Sequence, residues 1–264
     1  MSEISINNAT FSYDGKNDIF TDLSCTIYDG EIFCILGPNG IGKSTLLKGI
    51  MNLLKLKKGS VTLDGRDIRE IPPKTLAKHI AYIPQTYHMV FPYRVMDVIM
   101  LGRTPHLQRS SKPTTEDYQK VEEAIEGLGL QELAFRSCTQ LSGGQLQLVM
   151  IARAIAQEAT FLMLDEPTAH LDFGKQLKTL EMVETMKKKG VGVIITTHNP
   201  DHAFLIADKV AIMNHRTFVA VGQPNDVITE ENLREIYDVD VRIRNVFKTL
   251  ERKVCVPMRK DDVL

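Results

Sequence analysis

No run in this chain approaches the ~18 consecutive apolar residues that a membrane-spanning helix requires. The first residues, MSEISINNATFSY, lack the basic and apolar regions of a signal peptide. Any role at a membrane is therefore expected to pass through a partner. An excess of charge is missing too. The formal net charge is -1, from 32 basic and 33 acidic residues. That balance leaves no footprint for nucleic acid or for an anionic lipid surface. Cysteine is sparse, and Cys25, Cys34, Cys138 and Cys255 form no CxxC pair. Reduced thiols in a cytosolic setting are expected, and a disulfide scaffold is not. Cys34 lies in an apolar run and should be core. Internal repeats and low-complexity tracts are absent as well.

What is present suffices for one large α/β domain or two small ones: 264 residues, 43% apolar and 25% charged. The short apolar runs EIFCIL, FLML and VGVIIT read as buried strands. Each is followed by a turn and then by helical periodicity, which implies a parallel sheet with helices on both faces. From about Pro92 to Gln157 the pattern turns mostly helical, in RVMDVIMLG, YQKVEEAIEGLGL and GQLQLVMIARAIAQ. This reads as a helical subdomain inserted at about 88–158. ISINNATFSY, SCTIYDGE and TFVAVG alternate like antiparallel strands, and QRSSKPTTEDY reads as a polar surface loop.

One stretch is a phosphate loop by pattern. GPNGIGKST matches G-x-x-x-x-G-K-[ST] at Gly37, Gly42, Lys43 and Ser44, with Pro38, Asn39, Gly40 and Ile41 between and Thr45 after. It follows a strand-like run and opens a helix-like one, STLLKGIMNLL. Glycines let backbone N–H groups turn inward around phosphate oxygens. Lys43 can reach β- and γ-phosphates, and the Ser44 hydroxyl can ligate Mg²⁺. FLMLDEPT places Asp165 and Glu166 at the carboxyl end of another strand, where ligands bind in such sheets. Asp165 is expected to hold Mg²⁺ through water, and Glu166 to polarise an attacking water as general base. VGVIITTH ends in His198, which could contact the γ-phosphate or order that water. IAYIPQ ends in Gln85, whose amide could reach Mg²⁺ or the water.

A second anion site follows a hundred residues later. LSGGQ, Leu141 to Gln145, puts a serine and two glycines before a long apolar helical run. Chance yields that string in roughly a few chains of this length per ten thousand. With the phosphate loop before it and LDEPT after it, the chain from about Ile4 to Val241 resembles the ATP-binding subunit of an ABC transporter.

The resemblance implies a P-loop NTPase (RecA-like) α/β fold, with a mostly parallel sheet, an antiparallel β subdomain and an inserted helical subdomain. One ABC ATPase domain would occupy 1–245, leaving 246–264 as a tail of unassigned role, an extra strand or a loose end. It implies a homodimer packed head to tail, each ATP lying between the phosphate loop of one copy and the LSGGQ of the other. Ser142, Gly143, Gly144 and Gln145 would then meet the nucleotide held by the partner. Tyr13 matches the aromatic residue that stacks on adenine, Gln85 the Q-loop glutamine, His198 the switch histidine and Asp172 the D-loop aspartate. Two departures stand out: Leu146 and Leu148 occupy the region where many members carry arginine, and Ala169 sits where serine or asparagine is common.

VMDVIMLGRTPHL and GQPNDVITEENLREIYDVDVRI resemble the subunits that serve iron-chelate (siderophore), haem, cobalamin and some oxyanion importers, molybdate among the cargoes. That subgroup implies separate polytopic permease subunits and, indirectly, an external substrate-binding protein. The chain would sit on the inner face of the cell membrane through the permease. Some of Met89, Val90, Phe91, Pro92 and Tyr93 would line a cleft for a short cytoplasmic helix of the permease. Two rivals remain at this point. One is a soluble ABC ATPase such as an iron–sulfur cluster assembly factor, against which LGRTPHL argues. The other is a nucleotide-sensing module in which Glu166 is silent.

Overall fold

The structure, a computed structural model, describes residues 1–87, 89–108, 111–169, 171–246 and 252–258. Strands β1 (Glu3–Ser12) and β2 (Asp18–Tyr28) form an antiparallel pair, as their alternation predicts. Next come β3 (Ile32–Leu36), the phosphate loop and helix α1 (Lys43–Ile50). The helix ends sooner than STLLKGIMNLL suggests because Asn52 takes a left-handed backbone, φ 56°. β4 (Lys58–Leu63) and β5 (Arg66–Asp67) return to the first sheet, giving the order β2-β1-β4-β5.

Helix α2 (Pro73–His79) and strand β6 (Ile80–Ile83) lead into three helices, α3 (Val95–Met100), α4 (Thr115–Gly127) and α5 (Gly143–Ala156). The chain then alternates: β7 (Phe161–Asp165), α6 (Phe173–Lys188), β8 (Gly192–Thr197), α7 (Pro200–Ile206) and β9 (Lys209–Asn214). β10 (Thr217–Gly222) pairs antiparallel with β9. Helices α8 (Pro224–Val227) and α9 (Glu230–Tyr237) precede a hairpin of β11 (Val241–Asn245) and β12 (Lys253–Pro257).

The central sheet has the order β10-β9-β3-β8-β7-β6, parallel except at β10. The central strands β3, β7 and β8 are buried on both faces, which is why they read as unbroken apolar runs. The two-residue period of β3 divides the core. Ile32, Cys34 and Leu36 pack with the helices α3 to α9, while Phe33 and Ile35 pack with α1 and the antiparallel sheet. Cys34 is core, as expected. All four cysteines are free thiols, and burial pushes those of Cys25, Cys34 and Cys255 up to about 12. Among the described residues no helix is long and apolar enough to cross a membrane.

Pairing register carries the functional consequence. Leu36 lies opposite Thr197, Asp165 opposite Thr196, and Ile83 opposite Leu164. The carboxyl ends of four adjacent strands, β3, β8, β7 and β6, are therefore nearly flush. The loops that begin with Gly37, His198, Glu166 and Pro84 leave from one edge.

The segment LGRTPHL joins the three-helix segment to the sheet. Gly102 follows α3, and a Cβ there would lie 2.2 Å from the Arg153 carbonyl oxygen of α5, so no larger residue fits without moving the backbone. Arg103 is buried. Its Nε donates to Asp117 Oδ1 at 2.9 Å, and Nη1 donates to the Ala156 carbonyl and to Glu158 Oε2, each at 2.8 Å. His106 Nε2 lies 2.8 Å from the Gln157 carbonyl, and the Gln157 amide donates to the carbonyls of Ala77 and Ile80 beside β6.

One expectation needs correction, and one left open is decided. QRSSKPTTEDY is not all loop, because Thr114 and Asp117 form a capping box that starts α4 at Thr115. The pattern T-x-x-D signals this, and the run of polar residues hides it. Arg109 and Ser110 lie outside the described residues, as does His88 at the expected edge of the insert. The tail supplies a strand: β12 pairs with β11 and packs on α7, so the hairpin straddles the expected division at residue 245. Residues 247–251 and 259–264 lie outside the described residues.

Candidate functional site

The phosphate loop leaves β3 at Gly37, whose N–H donates to the Thr197 carbonyl of β8 at 3.2 Å. A Cβ on Gly37 would lie 2.5 Å from the Met213 carbonyl oxygen. Gly42 has φ 111°, and its Cβ would lie 2.8 Å from Ile19. Both positions therefore demand glycine, for space in one case and for handedness as well in the other. Gly42 is the N-cap of α1 and offers no side chain to the first-turn N–H groups, and that turn carries no acidic residue. Those donors are left for an anion. Asn39 and Gly40 are exposed at the tip, while Ile41, Ser44 and Thr45 are half-buried. Tyr13 stands at the rim, 64% exposed, its hydroxyl 3.2 Å from Thr45 Oγ1 and its ring edge-on to Phe11.

Lys43 and Glu166 are 4% and 8% exposed and form an ion pair of 3.0 Å between Nζ and Oε1. Lys43 Nζ also donates to the carbonyls of Gly37 at 2.8 Å and Pro38 at 2.9 Å. The other carboxylate oxygen of Glu166, Oε2, accepts from Gln85 Nε2 at 3.2 Å and lies 3.2 Å from His198 Nδ1. A carboxylate only accepts, so that histidine nitrogen carries the proton. Lys43, Gln85, Glu166 and His198, singled out separately in the sequence, thus meet on one carboxylate. Glu166 has φ 46°. A left-handed non-glycine backbone costs ~1–3 kcal/mol and persists where the surroundings enforce it.

Asp165 is buried beside it. Thr196 Oγ1 donates to Asp165 Oδ1 at 2.8 Å and accepts from the Glu166 N–H at 2.9 Å. The Tyr82 hydroxyl donates to Asp165 Oδ2 at 3.3 Å. Burial and the nearby Asp165 charge raise the Tyr82 phenol above its ordinary value, so it remains a donor. Sequence reasoning missed Thr196 and Tyr82, although polar residues at the ends of otherwise apolar strands are the signal for both. Ser44, Asp165 and the Gln85 amide oxygen make a hard-oxygen set of the kind Mg²⁺ accepts alongside waters and phosphate. Each Asp165 oxygen already takes one hydrogen bond, which suits contact through water. Among the described residues there is no cluster of three or more His, Cys, Asp and Glu suited to a metal.

Ser142 N-caps α5 in a capping box: its Oγ accepts from the Gln145 N–H at 3.3 Å, and the Gln145 side chain accepts from the Ser142 N–H at 3.0 Å. Ser142 and Gly143 are exposed, while Gly144 and Gln145 are half-buried. They sit by a hollow of about 530 Å³ whose lining includes Ser142, Gly143, Gly144, Gln85, Glu166 and Asp172, but no residue of 37–45. Asp172 N-caps α6 and pairs with Lys175 at 2.6 Å. Lys175, also missed from sequence, packs on Gly144, where a Cβ would meet its side chain at 2.8 Å. It brings a cation beside the LSGGQ turn in a chain that has Leu146 and Leu148 just beyond that turn. Val90, Phe91, Pro92 and Tyr93 are exposed, and only Met89 of that group packs into the core.

The profile of the ABC transporter family matches residues 20–169. Over 235 residues the chain is 34% identical to the molybdate import ATP-binding protein MolC of Haemophilus influenzae, covering 89% of this chain and 87% of that one. It is 38% identical over 235 residues to the hemin import ATP-binding protein HmuV of Hahella chejuensis, covering 86% and 90%. Among solved structures, one described as an inward-facing conformation of a metal-chelate type ABC transporter matches with a TM-score of 0.87 at 31% identity, over 99% of both chains.

Proposed function

Because this chain belongs to the ABC transporter family, we propose that it is the ATP-hydrolysing subunit of an importer, acting as a pair of copies beneath separate membrane permeases. The observation that carries this reading is the convergence of Lys43, Gln85 and His198 on Glu166. A triphosphate entering the loop of residues 37–45 would compete with Glu166 for Lys43, since both are anions and the ammonium is a single point charge. Transfer of Lys43 to the β- and γ-phosphates releases Glu166 Oε1 to accept a proton from water in line with the γ-phosphorus. His198 and Gln85 on Oε2 keep the carboxylate aimed while this happens. Mg²⁺ held by Ser44, Asp165 and Gln85 would neutralise triphosphate charge. Tyr13 offers a ring face to the adenine.

The second anion site belongs to the neighbouring copy in this reading. Ser142 and the N–H groups of Gly143 and Gly144 line a hollow that excludes their own phosphate loop, so they would cap a nucleotide bound by the partner. Gln145 locks that turn, and Asp172 lies beside it at the dimer seam. Closure on ATP and release after hydrolysis then drive the permease. The exposed Val90, Phe91, Pro92 and Tyr93 would take a short permease helix, and the chain would then sit at the inner face of the cell membrane. The hemin and molybdate import relatives and the metal-chelate type structure support a metal chelate (iron–siderophore, haem or cobalamin) or an oxyanion such as molybdate as cargo, delivered by an external binding protein.

Three experiments test this. Lys43→Ala should abolish detectable ATP binding in a titration, and an unchanged affinity would remove Lys43 from the site. Neither Lys43→Ala nor Ser142→Arg alone should pair on ATP, but mixing them should restore nucleotide-dependent pairing, because each mixed pair contains one intact composite site. No gain on mixing, read by sedimentation, contradicts the shared site. Co-purification with a soluble partner and no polytopic membrane protein would favour the assembly-factor alternative.

A further inference from the structure

The C-terminal stretch GQPNDVITEENLREIYDVDVRI carries no phosphate-binding or acidic motif, yet it folds against the loop that presents His198. Helix α9 ends at Tyr237, where Asp238 takes a left-handed backbone with φ 52°. The Tyr237 hydroxyl donates to the main-chain carbonyl of His198 at 2.8 Å. Its ring packs into the helix-side core. Burial, followed by the charges of neighbours that include Glu166, raises the phenol above its ordinary value, so it keeps its proton and acts as a donor.

The hairpin secures that contact from both sides. Glu230, at the start of α9, accepts from Arg242 Nη1 at 2.6 Å and from the Ile243 N–H at 2.9 Å. On the other strand, the Cys255 N–H donates to Asp201 Oδ1 of α7 at 2.8 Å. Helix α7 begins immediately after His198, with Asn199 as its N-cap. The loop between β8 and α7 is therefore gripped at its carbonyl by α9 and at the following helix by β12.

We propose that Tyr237 is a positioning residue for ATP hydrolysis, fixing the His198 peptide so that the imidazole stays on Glu166. The proposal rests on the role assigned above to His198. It also gives the C-terminal stretch a function that its sequence does not announce.

Tyr237→Phe in the full-length chain keeps the ring and removes the single donor. The expected kcat for Mg·ATP falls about threefold to tenfold, the size a single neutral hydrogen bond supports. The affinity for ATP should stay within about twofold, because the Tyr237 hydroxyl donates to a main-chain carbonyl of the loop after β8 and to no residue of 37–45. In a His198→Ala background the same substitution should cost nothing further. Unchanged kcat in Tyr237→Phe overturns the proposal, and so does an equal loss with and without the histidine. His198→Ala at the parent rate would instead remove the histidine's assignment and the proposal with it. An impaired His198→Ala beside a normal Tyr237→Phe removes the proposal alone.

Discussion

Glu166→Gln should hydrolyse ATP ~10²- to 10⁴-fold more slowly than the parent chain, the range of a lost general base, while still binding the nucleotide. Glu166 serves three donors. Lys43 sits on one oxygen, and Gln85 and His198 on the other. An amide has only one oxygen, so it can satisfy one side of this arrangement but not both. It also cannot take a proton from water. At the same time the substitution removes the anion that competes for Lys43, so triphosphate binding should be retained or strengthened. ATP would then stay unhydrolysed between two copies, and the pair should persist on a sizing column with Mg·ATP. Single-turnover hydrolysis together with sedimentation measures both outcomes. Turnover at the parent rate would remove Glu166 from its role and revive the sensing module.

Arg103→Ala should destabilise the fold by ~3–5 kcal/mol, the cost of breaking a buried ion pair from one side. The substitution strands the buried carboxylate of Asp117 and a carbonyl of α5 that both receive guanidinium hydrogens. Each kcal/mol moves the melting temperature by ~2–4 °C in a domain of this size, so a fall of roughly 6–20 °C is expected. Removing Asp117 as well should cost less than the two single losses together, because no charge is then left buried alone. Acid should act in the same sense. The Thr114 backbone N–H and Arg103 hold the Asp117 carboxyl below its ordinary value. Its contribution is therefore full above ~3.9, the unfolded value, and is lost as pH falls through the depressed folded one. A melting temperature within ~2 °C of the parent would show that LGRTPHL is not a fastener.

Strand-end chemistry was legible in the sequence because parallel strands advertise themselves as short apolar runs and place their next residues on one edge. Gly37, Gln85, Glu166 and His198 could be nominated on that ground without coordinates. Their meeting on a single carboxylate could not, since it depends on which strands are neighbours and on a register visible only in the pairing of Leu36, Asp165 and Ile83. Thr196, Tyr82 and Tyr237 escaped for a related reason. Each acts through one hydrogen bond between elements distant in sequence, and a lone threonine or tyrosine has no periodicity to betray it. The capping box at Thr114 escaped because polar runs in loops and in first helical turns have the same composition.

Helix α5 joins the LSGGQ turn to the edge of the central sheet. Its amino end is the exposed Ser142 turn, and past its other end Gln157 is tied by hydrogen bonds to the edge of the central sheet. At 1.5 Å per residue it is a rod of ~21 Å, and α3, which follows the exposed Phe91 and Tyr93, packs along it. A swing of ~10° about the anchored end would carry Ser142 through ~4 Å. The helix is thus a lever whose fulcrum lies at the sheet. A ligand pulling on the Ser142 tip would carry the exposed segment around Phe91 and Tyr93 with it through α3.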